Sequence, residues 1–317
     1  MRHVSAVAAT AGLALAALVA TPLRGQIPHY HVVKTIDLGN ARADYLTLDA
    51  VGRRLYGLGD RVLDVDADSS VGAVPGGGGG YAIAHDLDRG LVRNGTVFKL
   101  STLTVEGRVD AHGDGIRYEP VTQRAFTWEG NDAWVVDMRT GKLLMKSTIG
   151  DGLESGVADD RGYLFLNVED SGFVQRVDAR TLKIGPTYRI AGCGRAQGLS
   201  MDGRTRRLFM ACDTDVMVVN ADNGSVLARI RVPSRADMNC FDPVWRLAFN
   251  PNRVDSTMTV IREESPDRFP VVETVPTGGG ARTCAVDPRT HKVYVFYYQG
   301  ASRESARLIA AVLAPQQ

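Results

Sequence analysis

Seven positions in this chain are of a type and spacing that could hold a polar ligand or a cation: Asp44, Gly79, Asp114, Glu154, Gln197, Asp237 and Arg282. Each lies five residues before the residue that ends a short apolar stretch, and those end residues are Asp49, Ala84, Glu119, Asp159, Asp202, Asp242 and Asp287. If equivalent positions meet in space, four carboxylates face one another. Crowded carboxylates raise each other's pKa or take up a cation. An oxygen-only set suits Ca²⁺ or Mg²⁺, so Asp44, Asp114, Glu154 and Asp237 are the candidate metal ligands. Arg282 and Arg195 add forked donors fit for a carboxylate or a sugar acid. His112, two residues before Asp114, is the histidine closest in register. Together with Glu154 and Asp237 it completes a candidate acid–base set. The plain alternative is a polar ring lining a water-filled channel.

The elements that would position these residues repeat. The anchors are 35, 35, 40, 43, 40 and 45 residues apart, a period that, filled with short strands, signals a propeller or a solenoid. The fifth repeat divides into strands at 198–201, 207–211, 216–220 and 226–232, with Asp202-Gly203, Asp213-Thr214-Asp215 and Asp222-Asn223-Gly224 as turns. The third divides in the same way at 115–118, 124–128, 133–137 and 143–149. The last repeat has three strands before the sequence stops. The stretch His31-Val32-Val33-Lys34-Thr35-Ile36-Asp37-Leu38 can supply the fourth and close the ring. The expected fold is therefore all-β: a seven-bladed β-propeller over residues 26–317, with the N-terminal strand completing the last blade.

Residues 1–25 read as a secretory signal peptide, with a basic start at Arg2, an uncharged Ala/Leu-rich stretch and a break at Thr21-Pro22. Cleavage is expected after Ala20 or near Gly25, with an uncleaved anchor as the alternative. The mature chain is expected to be periplasmic or secreted, monomeric, and without a membrane span. A net charge of +1 gives no field toward nucleic acid or an anionic membrane, and the basic cluster Arg204-Thr205-Arg206-Arg207 reads as a strand turn. An exported chain can form disulfides. Cys193 and Cys212 fall on loops of one face and are expected to pair. Cys240 and Cys284 differ by one position relative to their anchors, so they are expected to face opposite ways and remain buried thiols. The glycines at 76–80 and 278–280 read as flexible loops before the inner strands, the first leaving the channel mouth open on one side. His29, His31 and His291 suggest surface positions more than a metal site. Trp128 reads as an inter-blade packing residue that could instead stack on a ligand.

The unit Asp-x-x-x-Arg-Arg-Leu-Tyr, followed by Val-x-Asp-x-x-Thr-Gly, resembles the YVTN-type repeats of YncE-like β-propellers. The stretch 266–277, with Gly280-Ala281-Arg282-Thr283 and Asp287-Pro288, is the most similar part. The likeness covers roughly residues 29–314. The Tyr-Val-Thr-Asn tetrapeptide itself is absent, and no Trp-Asp ends a third strand, which disfavours a WD40 assignment. The resemblance implies a histidine at the second repeat's channel mouth, where this chain has glycines 76–80. It also brings nucleic-acid binding into view, against which the missing basic face speaks. The functional expectation is an exported binding or scaffold protein holding a small ligand or protein partner through Asp44, Asp114, Glu154, Arg195, Gln197, Asp237 and Arg282. No cofactor is implied beyond a possible divalent cation. The alternative is a cation-assisted lyase or hydrolase acting on a carbohydrate or lactone at the same face.

Overall fold

The computed structural model describes residues 29–300, 302 and 305–316; the candidate signal peptide lies outside the described residues. The described residues fold as a β-propeller of antiparallel sheets. Four-stranded sheets are formed by Thr47–Asp49, Arg54–Leu58, Arg61–Asp64 and Ser69–Ala73, and by Tyr81–Ala84, Arg89–Val92, Thr96–Lys99 and Val105–Arg108. Two more follow: Ala196–Asp202 through Val226–Arg231, and Cys240–Asp242 through Val271–Pro276. In the last sheet Cys284–Val286, Val293–Gln299 and Arg307–Pro315 are completed by Tyr30–Asp37, with Val32 opposite Leu313 and Ile36 opposite Ala310. Repeats three and four differ from the separate strands expected. Arg124–Asp137 and Lys142–Ala158 run unbroken, which joins these two repeats into one six-stranded sheet. Within it, residues 124–128 pair with Gly115–Glu119, residues 130–137 with 142–153, and residues 153–158 with 164–168.

The core lies between neighbouring sheets, because successive side chains of a strand point to opposite faces. In Val293–Gln299 this is explicit. Val293, Val295 and Tyr297 pack with Phe249 and Met258 of the sheet before, whereas Tyr294 and Phe296 pack with Leu55 and Leu63 of the sheet after. Both faces are buried, so these strands read as continuous apolar runs, and each such side chain contributes about 1.5–3 kcal/mol on burial.

The repeating acidic anchors have a structural use. Each ends an inner strand and accepts backbone N–H groups two or three residues on, as Asp49 does from Gly52 at 2.8 Å and Asp242 from Val244 at 2.8 Å. Most also bond a basic side chain from the next repeat. Arg206 reaches Asp159 at 3.1 Å, His291 reaches Asp242 at 2.7 Å, and Arg53 closes the circle on Asp287 at 2.8 Å. Arg53, Arg206 and His291 all stand four residues after their own anchors, with φ near +60° (58, 59 and 60°). The left-handed turn aims the side chain sideways at the preceding repeat.

Candidate functional site

The inner strands of successive repeats lie side by side, and Thr47–Asp49 lies beside Cys284–Val286, so they enclose a channel. The seven expected positions stand at one mouth of it. Tyr45, buried, reaches from the first repeat to the fourth, its hydroxyl 3.3 Å from the Glu154 carbonyl and 3.4 Å from the Glu154 carboxylate. The mouth is thus narrow enough for a tyrosine to cross. Glu154 sits in an irregularity of the strand pairing between Leu153 and Gly156. Such a bulge re-aims a side chain. The Glu154 carbonyl also accepts the Trp128 indole N–H at 2.7 Å. Trp128 is therefore a buried support for Glu154 and does not present a stacking face to a ligand.

The ring is more evenly charged than its sequence positions suggest. Arg93, which follows the second strand of repeat two, places Nη1 2.9 Å from Asp44 and also binds the Asp114 carboxylate and, at 2.9 Å, the Asp114 carbonyl. Arg93 lies over Gly79: a Cβ there would be 2.1 Å from Arg93 Nε, and Gly79 has φ +78°. The glycine stretch therefore does not leave the mouth open on that side; the missing side chains make room for this guanidinium. Opposite, Glu169 accepts from Arg195 Nε at 2.7 Å and from the Gln197 amide, and Gln197 Oε1 accepts from Arg235 at 3.0 Å. Asp237, buried, pairs with Arg282 at 3.4 Å. Arg93, Glu169 and Arg235 were missed from sequence because they come from the loops that lie over the ring. The unusual run of glycines was the one signal that something bulky must cover them.

Burial, and then the carboxylates of Glu169, Asp114, Asp237 and Asp44, push the Glu154 carboxyl up to about 8. Burial and Asp114 push Asp44 up to about 6, against the pull of Arg93 and Arg282. Glu154 is thus a proton donor at neutral pH within a ring of carboxylate–guanidinium pairs. Among the described residues no three or more His, Cys, Asp or Glu side chains stand close enough together to hold a metal. Between Asp44 and Asp114, where a cation could bridge, stands Arg93.

His112 is not gathered into the mouth. It is exposed, lies tilted against Trp134 with ring centroids 4.2 Å apart and borders a surface cavity of about 540 Å³ with Asn94, Arg108 and Asp110. His29 lies 3.3 Å from Glu273, while His291 stacks on Trp245 at 3.6 Å, so these histidines have separate partners. Cys193 and Cys212 form a disulfide. So do Cys240 and Cys284, against expectation. The offset of one position is what joins them. In this ring a side chain two before its anchor faces the next repeat, as when Thr47 Oγ1 donates to the Tyr81 carbonyl at 3.0 Å. Cys284, three before its anchor, faces back across the same gap.

No protein-family model matches the chain. A protein named as uncharacterized, YncE of Salmonella typhimurium, is 27% identical over 179 residues, spanning 54% of this chain and 49% of the relative. The chain is YncE-like in sequence. It thus matches about half the length of that relative. Several solved structures are similar in shape at low identity. The RRP9 WD40 repeats give a TM-score of 0.72 at 11% identity, covering 90% of this chain and 99% of the other. A chain of a mitotic checkpoint complex gives 0.72 at 12%, covering 98% and 99%. Kuenenia stuttgartiensis hydrazine synthase gives 0.66 at 14%, covering 80% and 92%. At these identities the likeness is one of fold alone.

Proposed function

We propose that this chain is an exported, seven-bladed β-propeller that binds a small polar ligand or a protein partner at the channel mouth. The seven-blade count treats the six-stranded sheet as two blades joined by unbroken strands, each with its own anchor, Glu119 and Asp159. Export is supported by two disulfides, bonds that persist in oxidising compartments, and by the character of residues 1–25. The observation that carries the binding reading is the mouth itself. Half-exposed guanidinium groups of Arg93, Arg195 and Arg282 stand over paired carboxylates, with Glu154 as a neutral donor among them. Such a surface can match both charges of a partner and still offers unspent N–H donors. Binding of protein partners is in keeping with the shape, since one similar chain comes from a named multiprotein complex.

One observation favours the alternative, an enzyme acting on a carbohydrate or lactone. A carboxyl that keeps its proton near neutral pH, as Glu154 does, is what a general acid needs. A bridging Ca²⁺ or Mg²⁺ would have to displace Arg93. The test uses the chain purified from its own compartment. Native mass spectrometry is expected to show a bound species or a copurifying partner, lost in an Arg93→Ala/Arg282→Ala variant that still folds. An unliganded wild-type chain, or one whose occupancy the double substitution leaves unchanged, would sink the reading. Turnover of sugars or lactones by the wild type would favour the enzyme.

A further inference from the structure

Two residues before each anchor, at the position whose side chain faces the next repeat, stand Thr47, Ala82, Arg117, Val157, Ser200, Cys240 and Ala285. Arg117 is the one charged side chain of this set. Its Nε donates to the Gly156 carbonyl at 2.7 Å and its Nη1 to the Ile116 carbonyl at 3.1 Å. A guanidinium has five N–H donors, so about three are left, two of them parallel along the terminal edge that grips a carboxylate in bidentate fashion. No carboxylate of the described residues pairs with it. The contrast is with Arg93, Arg195 and Arg282 at the mouth and Arg53 and Arg206 at the other end, each of which has an acidic partner. Arg117 is half-buried, and a desolvated charge is ordinarily paired. Its burial without an acid pushes the Arg117 guanidinium below its ordinary range. One further feature points to a missing occupant. Arg117 borders a cavity of about 260 Å³ with Thr47, Tyr81, His85, Tyr118 and Asp160.

We infer that Arg117 anchors a second binding site, in the open cavity at the anchor ends of the first three inner strands, for a small monocarboxylate that completes its ion pair. The cavity is just below the size of sites for drug-like molecules, about 300–1,000 Å³, so the ligand is a few heavy atoms and no polymer. Its charge is set by the neighbours. Asp49 also borders the cavity, with its carboxylate already bound by the Val51 and Gly52 amides and His85, and Asp160 stands there as well. One unpaired cation beside two acids accepts one negative charge and rejects a dianion. The site is separate from the mouth ring, so it stands or falls independently of what the mouth binds.

The test is a titration of the mature chain with acetate and with inorganic phosphate, followed by calorimetry. The expected result is saturable acetate binding, at least tenfold tighter than phosphate. Arg117→Gln is expected to weaken acetate at least tenfold, and Arg117→Lys, which keeps the charge but not the fork, by about three- to tenfold. Absence of saturable acetate binding, a preference for phosphate, or undiminished binding by folded Arg117→Gln would overturn the inference. Should the glutamine variant fail to fold, the lysine variant decides: affinity equal to wild type counts against the site, and a weakened but saturable isotherm supports it.

Discussion

Replacing Glu154 by glutamine should stabilise this protein, by an amount that grows as pH rises from about 4.5 to about 8. The ordinary value of a glutamate carboxyl here is 4.5, and the mouth pushes Glu154 to about 8. The native state therefore holds this proton more tightly than the unfolded chain does. Stability linked to it is fully present below pH 4.5, falls as the unfolded state ionises, and is lost once pH has risen through about 8. Each tenfold change in proton affinity is worth about 1.4 kcal/mol, which sets a ceiling of about 5 kcal/mol. Water at the half-open mouth screens the repulsion, so about 2 kcal/mol is the working figure. Glutamine keeps the neutral form's shape and never ionises. Urea unfolding at pH 4, 7 and 9 measures this directly, with the fluorescence of Trp128, bonded to the Glu154 carbonyl, contributing to the signal. Wild type and Glu154→Gln should agree at pH 4 and differ by about 2 kcal/mol at pH 9, the variant being the more stable. A gap of the same size at every pH would show that the amide acts through packing and that the electrostatic reasoning is wrong.

Two other perturbations follow from the inter-repeat contacts. Cys240 and Cys284 are 44 residues apart, so on the loop-entropy account their bond contributes about 4 kcal/mol; the Cys240→Ala/Cys284→Ala variant should lose most of that in denaturant unfolding under non-reducing conditions. Arg53→Ala should cost about 3–5 kcal/mol, because it strands the buried Asp287 carboxylate, which Arg53, Thr290 and a backbone amide hold well below the usual range. Asp287→Asn in the same background should recover part of that loss, and a thermal melt of the two variants checks it.

The repeat made most of the architecture legible. Periodic anchors such as Asp202 and Asp287 fixed where inner strands end, and the alternation in 31–38 pointed to a strand that closes the last sheet. The same register placed Asp44, Asp114, Glu154 and Asp237 around one opening. Contacts that cross between repeats were not legible in the same way. Arg93 and Glu169 come from loops, whose side chains obey no period, and their reach depends on backbone direction. The pairing of Cys240 with Cys284 was misjudged because alternation was applied within one sheet, whereas the bond spans two. The unbroken strands 124–137 and 142–158 hide the boundary between repeats three and four, since turn residues such as Gly130 and Gly152 can sit inside extended, irregular pairing.

The sideways reach of the residue four past each anchor has a direction. Arg206 and His291 bond the carboxylate of the repeat made just before them in the chain, whereas Arg53 and the strand Tyr30–Asp37 must wait for residues 284–315. Growth from the N-terminus can thus make these contacts stepwise along the chain, while the final junction joins segments more than 200 residues apart and carries the greatest loop-closure cost. The seam between the first and last repeats is accordingly where a chain of this kind would finish folding. It is also where a proteolytic nick or a truncated end would do the most damage.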